Sequence, residues 1–298
     1  MNSSIPTAER LYFSGEIFDA AQLESLERAF FSTLVVQNGT FKTTNHRRLD
    51  NLNELVQKHL PADRPLKVMD VAVSSGISTA EWMSFIETAG VDCSMVAGDL
   101  FVQGFLVSLR GGLNVLVDKT GNPIQYDIQG RAIGTPLGRR ARALHPWALW
   151  RLKRAARRFD AARRTVEPRK LEQALARWDL QYRPVKLVSP SLKKFARIEV
   201  VEDDILANRE YRNCFHVVRA ANILNLGYFE RPILTAMLLN LRSRLTPGGL
   251  LIVCRTNHQD VNNGSIFALQ PDNTFAVIAR LNNGSEVEDL VMALPRDA

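Results

Sequence analysis

The aspartates at positions 70, 99, 203 and 204 are the side chains of this 298-residue sequence whose type and placement point to chemistry. Each closes an apolar run: "LKVMD", "CSMVAGD" and "RIEVVEDD". An ionised carboxylate accepts hydrogen bonds on two oxygens and donates none, so it suits a ligand that offers paired donors. After Asp70 come Ala72, Ser74, Ser75 and Gly76, small residues that let the backbone pass close to a bound molecule. The stretch "VMDVAVSSGISTAEW" (68–82) reads as the opening of a nucleotide-type site in which two glycines are replaced by Ala72 and Ser74.

The elements that must position these residues follow from periodicity. "LKVMDVAV" is a continuous apolar run of the kind found in a strand buried on both faces. "STAEWMSFIETAG" follows as a helix, with Ser78 as N-cap, Glu81 at the capping-box spacing and Gly90 as the stop. Further strands are expected in "VDCSMVAGDL", "ARIEVVEDDIL", "CFHVVRAANIL" and "TPGGLLIVCRT", with a helix in "RPILTAMLLNLRSRL" and a hairpin around "PDN" in "GSIFALQPDNTFAVIARL". Strands alternating with helices predict an α/β, mostly parallel sheet with helices on both faces and a C-terminal antiparallel hairpin. Three acids at the C-terminal ends of successive parallel strands would then share the edge where open α/β folds bind ligands. Strand-end acids also serve as helix caps or solvated loop residues, and that alternative stays open for each one.

The chain divides into a helical lead-in at 1–62, a sheet domain at 63–100 and 196–298, and an insertion at 101–195. The insertion holds a hairpin, "LNVLVDKTGNPIQYDI", followed by a basic helix.

This order of elements resembles the class I S-adenosylmethionine-dependent methyltransferases, with their Rossmann-like seven-stranded sheet, over residues 66–100 and 196–281. The first-strand turn "SSGISTAEW" is loosely similar to that of the chemotaxis-receptor methyltransferases, and "VVRAANILNLGYF" supplies an Arg219, Asn222 and Tyr228 like theirs. The resemblance implies S-adenosyl-L-methionine as cofactor. It places Asp70 and the 72–76 turn at the ligand, Asp99 on the ribose hydroxyls with Leu100 beside the adenine, and Asp204 with Ile205 on the adenine amine and ring. Asp203 competes with Asp204 for that role, and Ala220 and Asn222 complete the expected cofactor-binding set. The cofactor has no pyrophosphate, so loss of two glycines weakens a nicotinamide-oxidoreductase reading more than a methyltransferase one.

Methyl transfer is an in-line displacement that alignment alone accelerates, so no catalytic residue is named. Asn222, Tyr228, Arg255 and His258 fall just past strand ends, and "NHQDVNNGS" (257–265) is polar enough to line an acceptor site or to be an ordinary loop. His216, inside an apolar run, reads as structural. No His/Cys cluster has metal spacing.

The formal net charge of +7 is uneven: residues 139–170 hold twelve Arg or Lys against Asp160 and Glu167, leaving the remainder at −3. Such a chain is a mildly acidic body with a basic insert, not a general nucleic-acid binder. A helix from Pro146 puts Ala156 and Phe159 on one side and Arg151, Lys153, Arg154, Arg157, Arg158 and Arg164 on the other, with Trp147 and Trp150 among them. That pattern suits an anionic membrane surface, an acidic acceptor, or simple packing on the domain. Cys93, Cys214 and Cys254 are odd in number and far apart, which predicts free thiols in a reducing compartment. The expectation is a cytoplasmic enzyme, with attachment at the inner face of the membrane as an additional feature. Its acceptor is a small molecule or a lipid-linked group. The alternatives are a protein carboxylate as acceptor, and a non-catalytic binding protein of the same fold.

Overall fold

The computed structural model describes residues 5–34, 42, 45–61, 63–109, 111–134, 146–164, 171, 173, 175, 180–207 and 209–296. In chain order the elements are α1 (Ala8–Phe13), α2 (Ala20–Phe31), α3 (Asp50–Gln57), β1 (Leu66–Val71), α4 (Ile77–Thr88), β2 (Cys93–Asp99), β3 (Gln103–Leu109), β4 (Leu113–Asp118) and β5 (Pro123–Ile128). Then come β6 (Arg131–Gly134), α5 (Pro146–Arg164), β7 (Tyr182–Lys186), a 3-10 turn (Pro190–Lys194), β8 (Ile198–Glu202), β9 (Phe215–Ala221), α6 (Arg231–Arg244), β10 (Leu245–Thr256), β11 (Asn262–Leu269), β12 (Phe275–Leu281) and α7 (Glu288–Met292). They group into two compact units, Met1–Thr44 with Phe101–Pro190, and Asn45–Leu100 with Ser191–Ala298. The partition expected from sequence is redrawn: α1 and α2 group with the insertion, and only α3 groups with the sheet domain.

The second unit is built on a seven-stranded sheet in the order β12-β11-β10-β9-β1-β2-β8. Strands β8, β2, β1, β9 and β10 are parallel, and β11 and β12 add an antiparallel hairpin. This is the α/β, Rossmann-like, mostly parallel architecture anticipated above. Alternation along β1 explains why both faces are covered. Val68 points to one side, where it joins Trp82, Met83 and Ile86 of α4 and Leu52 and Val56 of α3. Met69 and Val71 point to the other, where they meet Leu234, Leu238 and Leu241 of α6. Each such side chain contributes roughly 1.5–3 kcal/mol by leaving water.

Helix α4 starts two residues earlier than its sequence pattern suggested. Its N-cap is Gly76, in the left-handed region at φ 77°, and no side chain caps it. A Cβ at Gly76 would stand 2.5 Å from a Leu192 methyl on left-handed backbone, so any other residue would be strained here and would have to displace that side chain. Ser78 lies inside the helix, and Glu81 is used elsewhere.

The first unit holds a five-stranded antiparallel sheet, β6-β5-β4-β3-β7. The expected hairpin is present as β4 and β5, and Asp118 organises its turn by accepting from the Thr120 and Asn122 backbone N–H groups. It is two strands of a larger sheet, because β3, β6 and β7 pair around it. Ala156 and Phe159 of α5 pack on Phe105, Val107, Val115, Val117 and Tyr126 of that sheet. Gln125, buried on β5, accepts from Ala8 N–H and donates to the Pro6 carbonyl, which ties down the start of α1.

Candidate functional site at the ends of β1 and β9

In the second unit the chain leaves β1 toward β2 and β8 on one side and continues from β9 toward β10 on the other. The crevice outside the C-terminal ends of β1 and β9 is therefore the topological switch point, where open α/β sheets take ligands. Both loops that open there are conformationally unusual. Ala72, Ser74 and Gly76 adopt φ of 56°, 57° and 77°, and Asn222 after β9 adopts 64°. A left-handed conformation costs an L-residue roughly 1–2 kcal/mol, so Ala72 and Ser74 hold strain that glycine would not. Three bonds maintain the turn. Val73 N–H donates to the Gly98 carbonyl at 3.1 Å, Gly76 N–H to the Val73 carbonyl at 2.8 Å, and Ser74 N–H to Asp99 Oδ2 at 2.7 Å.

Asp70 does not face this crevice as a ligand-binding acid. It is 3% exposed and is held by Arg219, which donates from Nε to Oδ1 at 2.9 Å and from Nη2 to Oδ2 at 2.6 Å. Thr79 Oγ1 adds a third bond at 2.7 Å. Arg219 also donates to Asn53 Oδ1 and to the Ser78 carbonyl, and its guanidinium lies 4.1 Å over the Trp82 ring. The pair joins β1, β9, α3 and α4 beneath the turn.

The other expected residues separate into two groups. Asp99, Leu100 and Asp204 stand at the ends of the neighbouring strands β2 and β8, with Leu100 43% exposed and Asp204 exposed. Asp204 Oδ1 accepts from Leu206 N–H at 2.9 Å. Asp203 turns inward to a buried, two-toothed ion pair with Arg244, at 2.6 and 3.1 Å, which removes it as the rival of Asp204. Ile205 and Ala220 also turn inward, into the core beneath α6, so they offer a ligand only backbone. His216 is structural: its Nδ1 accepts from Lys67 N–H.

Ser75 and Asn222 were named for the site from sequence, and Ser78 and Glu81 only as helix caps; sequence reasoning missed Arg48 and Asn53 near Arg219, and His46 beside Glu81. Among the described residues, His46 Nε2, Arg48 Nε, Asn53 Nδ2, Ser75 Oγ, Ser78 Oγ, Glu81 Oε2 and Asn222 Nδ2 are buried without a hydrogen-bond partner. Leaving such a group unsatisfied costs about 1–3 kcal/mol, so a concentration of them calls for an explanation. Glu81 Oε1 accepts from Arg47 N–H at 2.8 Å and lies 3.3 Å from His46 Nδ1. Burial pushes the Glu81 carboxyl above the usual glutamate range, against the opposing pull of that bond and of His46. Burial likewise lowers Arg48, and the nearby Arg219 lowers it further. The segment before α3 is anchored over the strand ends, where Asn262 Nδ2 donates to the Arg48 carbonyl and Thr256 N–H donates to Asn222 Oδ1. Nothing in the local pattern of "NHRRLDNLNEL" marks these residues, because the helix signal there comes from its leucines.

A separate cavity of about 420 Å³ opens where β10 and β12 end and β11 begins, lined by Arg255, Asn257, His258, Asn263, Ser285 and Glu286 among others. Arg255 pairs with Glu286. Tyr228 is 69% exposed. Among the described residues, no group of three His, Cys, Asp or Glu could hold a metal ion.

No protein-family model matches this chain, and no curated protein matches it. Solved structures resemble it only partly. The CMeT domain of the citrinin polyketide synthase is 14% identical, covering 70% of this chain and 33% of that one at a TM-score of 0.32. An O-methyltransferase family protein from Burkholderia thailandensis is 15% identical, covering 71% and 39% at 0.33. The N-methyltransferase NodS from Bradyrhizobium japonicum, solved with S-adenosyl-L-homocysteine, is 12% identical, covering 78% and 71% at 0.34. The chain thus spans well under half the length of the first two. Likeness at this level says nothing of activity, and the class of fold rests on the strand order itself.

Proposed function

We propose that this protein is an S-adenosylmethionine-dependent methyltransferase that holds its cofactor at the ends of β1, β2, β8 and β9. One observation carries the reading. At the switch point of a parallel sheet, the turn after β1 keeps left-handed backbone at three alternate positions, two of them against the preference of their side chains. The unsatisfied buried polar atoms of this unit fit the group chemically. Ser75 Oγ, Arg48 Nε and Asn222 Nδ2 are donors suited to the cofactor's carboxylate, and Glu81 Oε2 is an acceptor suited to its ammonium. Asp99 would take the ribose hydroxyls, Leu100 would flank the adenine, and Asp204 would accept from its amine. Asp70 would act indirectly, by fixing the turn through Arg219.

When bound, the cofactor supplies a methyl group activated on a sulfonium. The protein's part is to align the acceptor and exclude water. The polar cavity beside β10 and β11 falls within the usual size range of small-molecule sites and supports a small or lipid-linked acceptor with polar groups. A protein carboxylate is the second choice of acceptor. A non-catalytic protein of this fold is the rival reading, favoured by the sequestration of Asp70.

Calorimetric titration of the full chain with S-adenosylhomocysteine tests the proposal. A saturable heat that the conservative D99N variant loses is the expected result. Absence of heat with the wild-type chain favours the non-catalytic reading.

A further inference from the structure

Helix α5 has a covered side and an open one. Ala156 and Phe159 are 7% and 2% exposed and pack against the five-stranded sheet of the first unit. Those contacts hold the helix in place, so its opposite face is not needed for packing. At 100° per residue, Trp147, Trp150, Lys153, Arg154 and Arg157 fall within one arc of about 120° whose centre lies opposite Phe159. All five are exposed, the tryptophans at 60% and 54%. Arg154 lies 5.3 Å over the Trp150 ring, so cation and aromatic form one continuous surface.

Two exposed indoles set side by side among cations form a contiguous patch of the kind that marks an interaction surface. Tryptophan is at home at the boundary between lipid headgroups and acyl chains, and Lys and Arg beside it are attracted to anionic headgroups. The arrangement along α5 matches an amphipathic helix lying in the plane of a membrane surface. Among the described residues no helix is long and apolar enough to cross a membrane, so the contact would be peripheral. An extended polyanion such as RNA fits less well. The remainder of the chain is net negative, and a single helix face suffices for a lipid surface but not for a strand that must be followed.

We propose that the Trp147–Trp150–Lys153–Arg154–Arg157 face of α5 docks the protein on anionic lipid bilayers. The inference stands on this face alone and does not depend on methyl transfer.

Co-sedimentation of the full chain with vesicles of phosphatidylcholine alone, and of phosphatidylcholine with phosphatidylglycerol, tests it. Binding is expected only to the anionic vesicles. Reversal at three cations, K153E/R154E/R157E, should lower the partition coefficient on the order of a hundredfold. W147A/W150A should lower it about tenfold or more, and R154K/R157K should retain it. Brominated lipid should quench the fluorescence of the wild-type chain more than that of W147F/W150F. Equal binding to neutral vesicles, no binding, or unchanged binding by the charge-reversed chain overturns the proposal. So does binding to single-stranded RNA that depends on the same cations while vesicles are ignored. The substituted positions are exposed, and thermal melting of each variant confirms that the fold is intact.

Discussion

Asp70 and Arg219 stand opposite one another on the adjacent parallel strands β1 and β9, and their side chains close a buried two-toothed ion pair between them. The pair explains how two chain segments 149 residues apart are locked at the switch point, and why the first acid of the turn is unavailable to a ligand. Arg219 does more than neutralise Asp70. Its bonds to Asn53 and the Ser78 carbonyl bring α3 and the first turn of α4 to the same point.

Removing one member of this pair should be far worse than removing both. R219M leaves a buried carboxylate without its cation and should cost roughly 3–5 kcal/mol, whereas D70N/R219M should cost much less than the two single changes added together. Urea denaturation of the four proteins checks this. A loss below about 1 kcal/mol for R219M would mean that the pair does not hold the strands.

Strain in the turn after β1 should be measurable. A72G and S74G release left-handed strain of about 1–2 kcal/mol each and add some freedom to the unfolded chain, so each should be neutral to about 1 kcal/mol stabilising. A72V, with a β-branched side chain at φ 56°, should be clearly destabilising. Thermal melts give the order directly, and an A72G less stable than A72V would contradict the geometry.

Glu81 should make stability depend on pH in an unusual direction for a carboxylate. Burial raises its folded value above the unfolded one, so the folded protein holds the proton more tightly. Its contribution is fully present below the ordinary glutamate value of about 4.3 and is lost as pH rises through the raised folded value. E81Q, which cannot ionise, should therefore gain on the wild type as pH rises through that window. Stability curves from pH 4 upward test the sign. A constant difference across the range would show that Glu81 ionises as it would in water.

Much of the second unit was legible in the sequence because its signals are local. Continuous apolar runs mark β1, β2, β9 and β10, and alternation around "PDN" marks the β11–β12 hairpin, since a strand buried on both faces admits few polar residues. The first unit was legible in α2 of its helical lead-in, in the β4–β5 hairpin and in α5. Strands β3 and β7 pair with each other across the whole basic insertion, and neither "QGFLVSL" nor "YRPVK" declares a partner 80 residues away. Much of the basic run, including Arg139, Arg140, Arg142, Arg169 and Lys170, lies outside the described residues.

The candidate site divides along the same line. Residue type and strand position, read from the sequence, identified Asp99, Leu100, Asp204 and the small residues of the turn as edge residues, because strand ends and turns are punctuated locally. Which acids are claimed by a buried cation was decided by tertiary structure alone. Asp70 and Asp203 have the same side chain and nearly the same local setting as Asp99 and Asp204, yet they are drawn into the interior by Arg219 and Arg244. A buried carboxylate persists only beside a cation, and the cation that claims it comes from a distant strand or helix. The same long-range geometry gathers Arg48, Asn53 and Glu81 around Arg219, with His46 beside Glu81, which no spacing along the chain could announce.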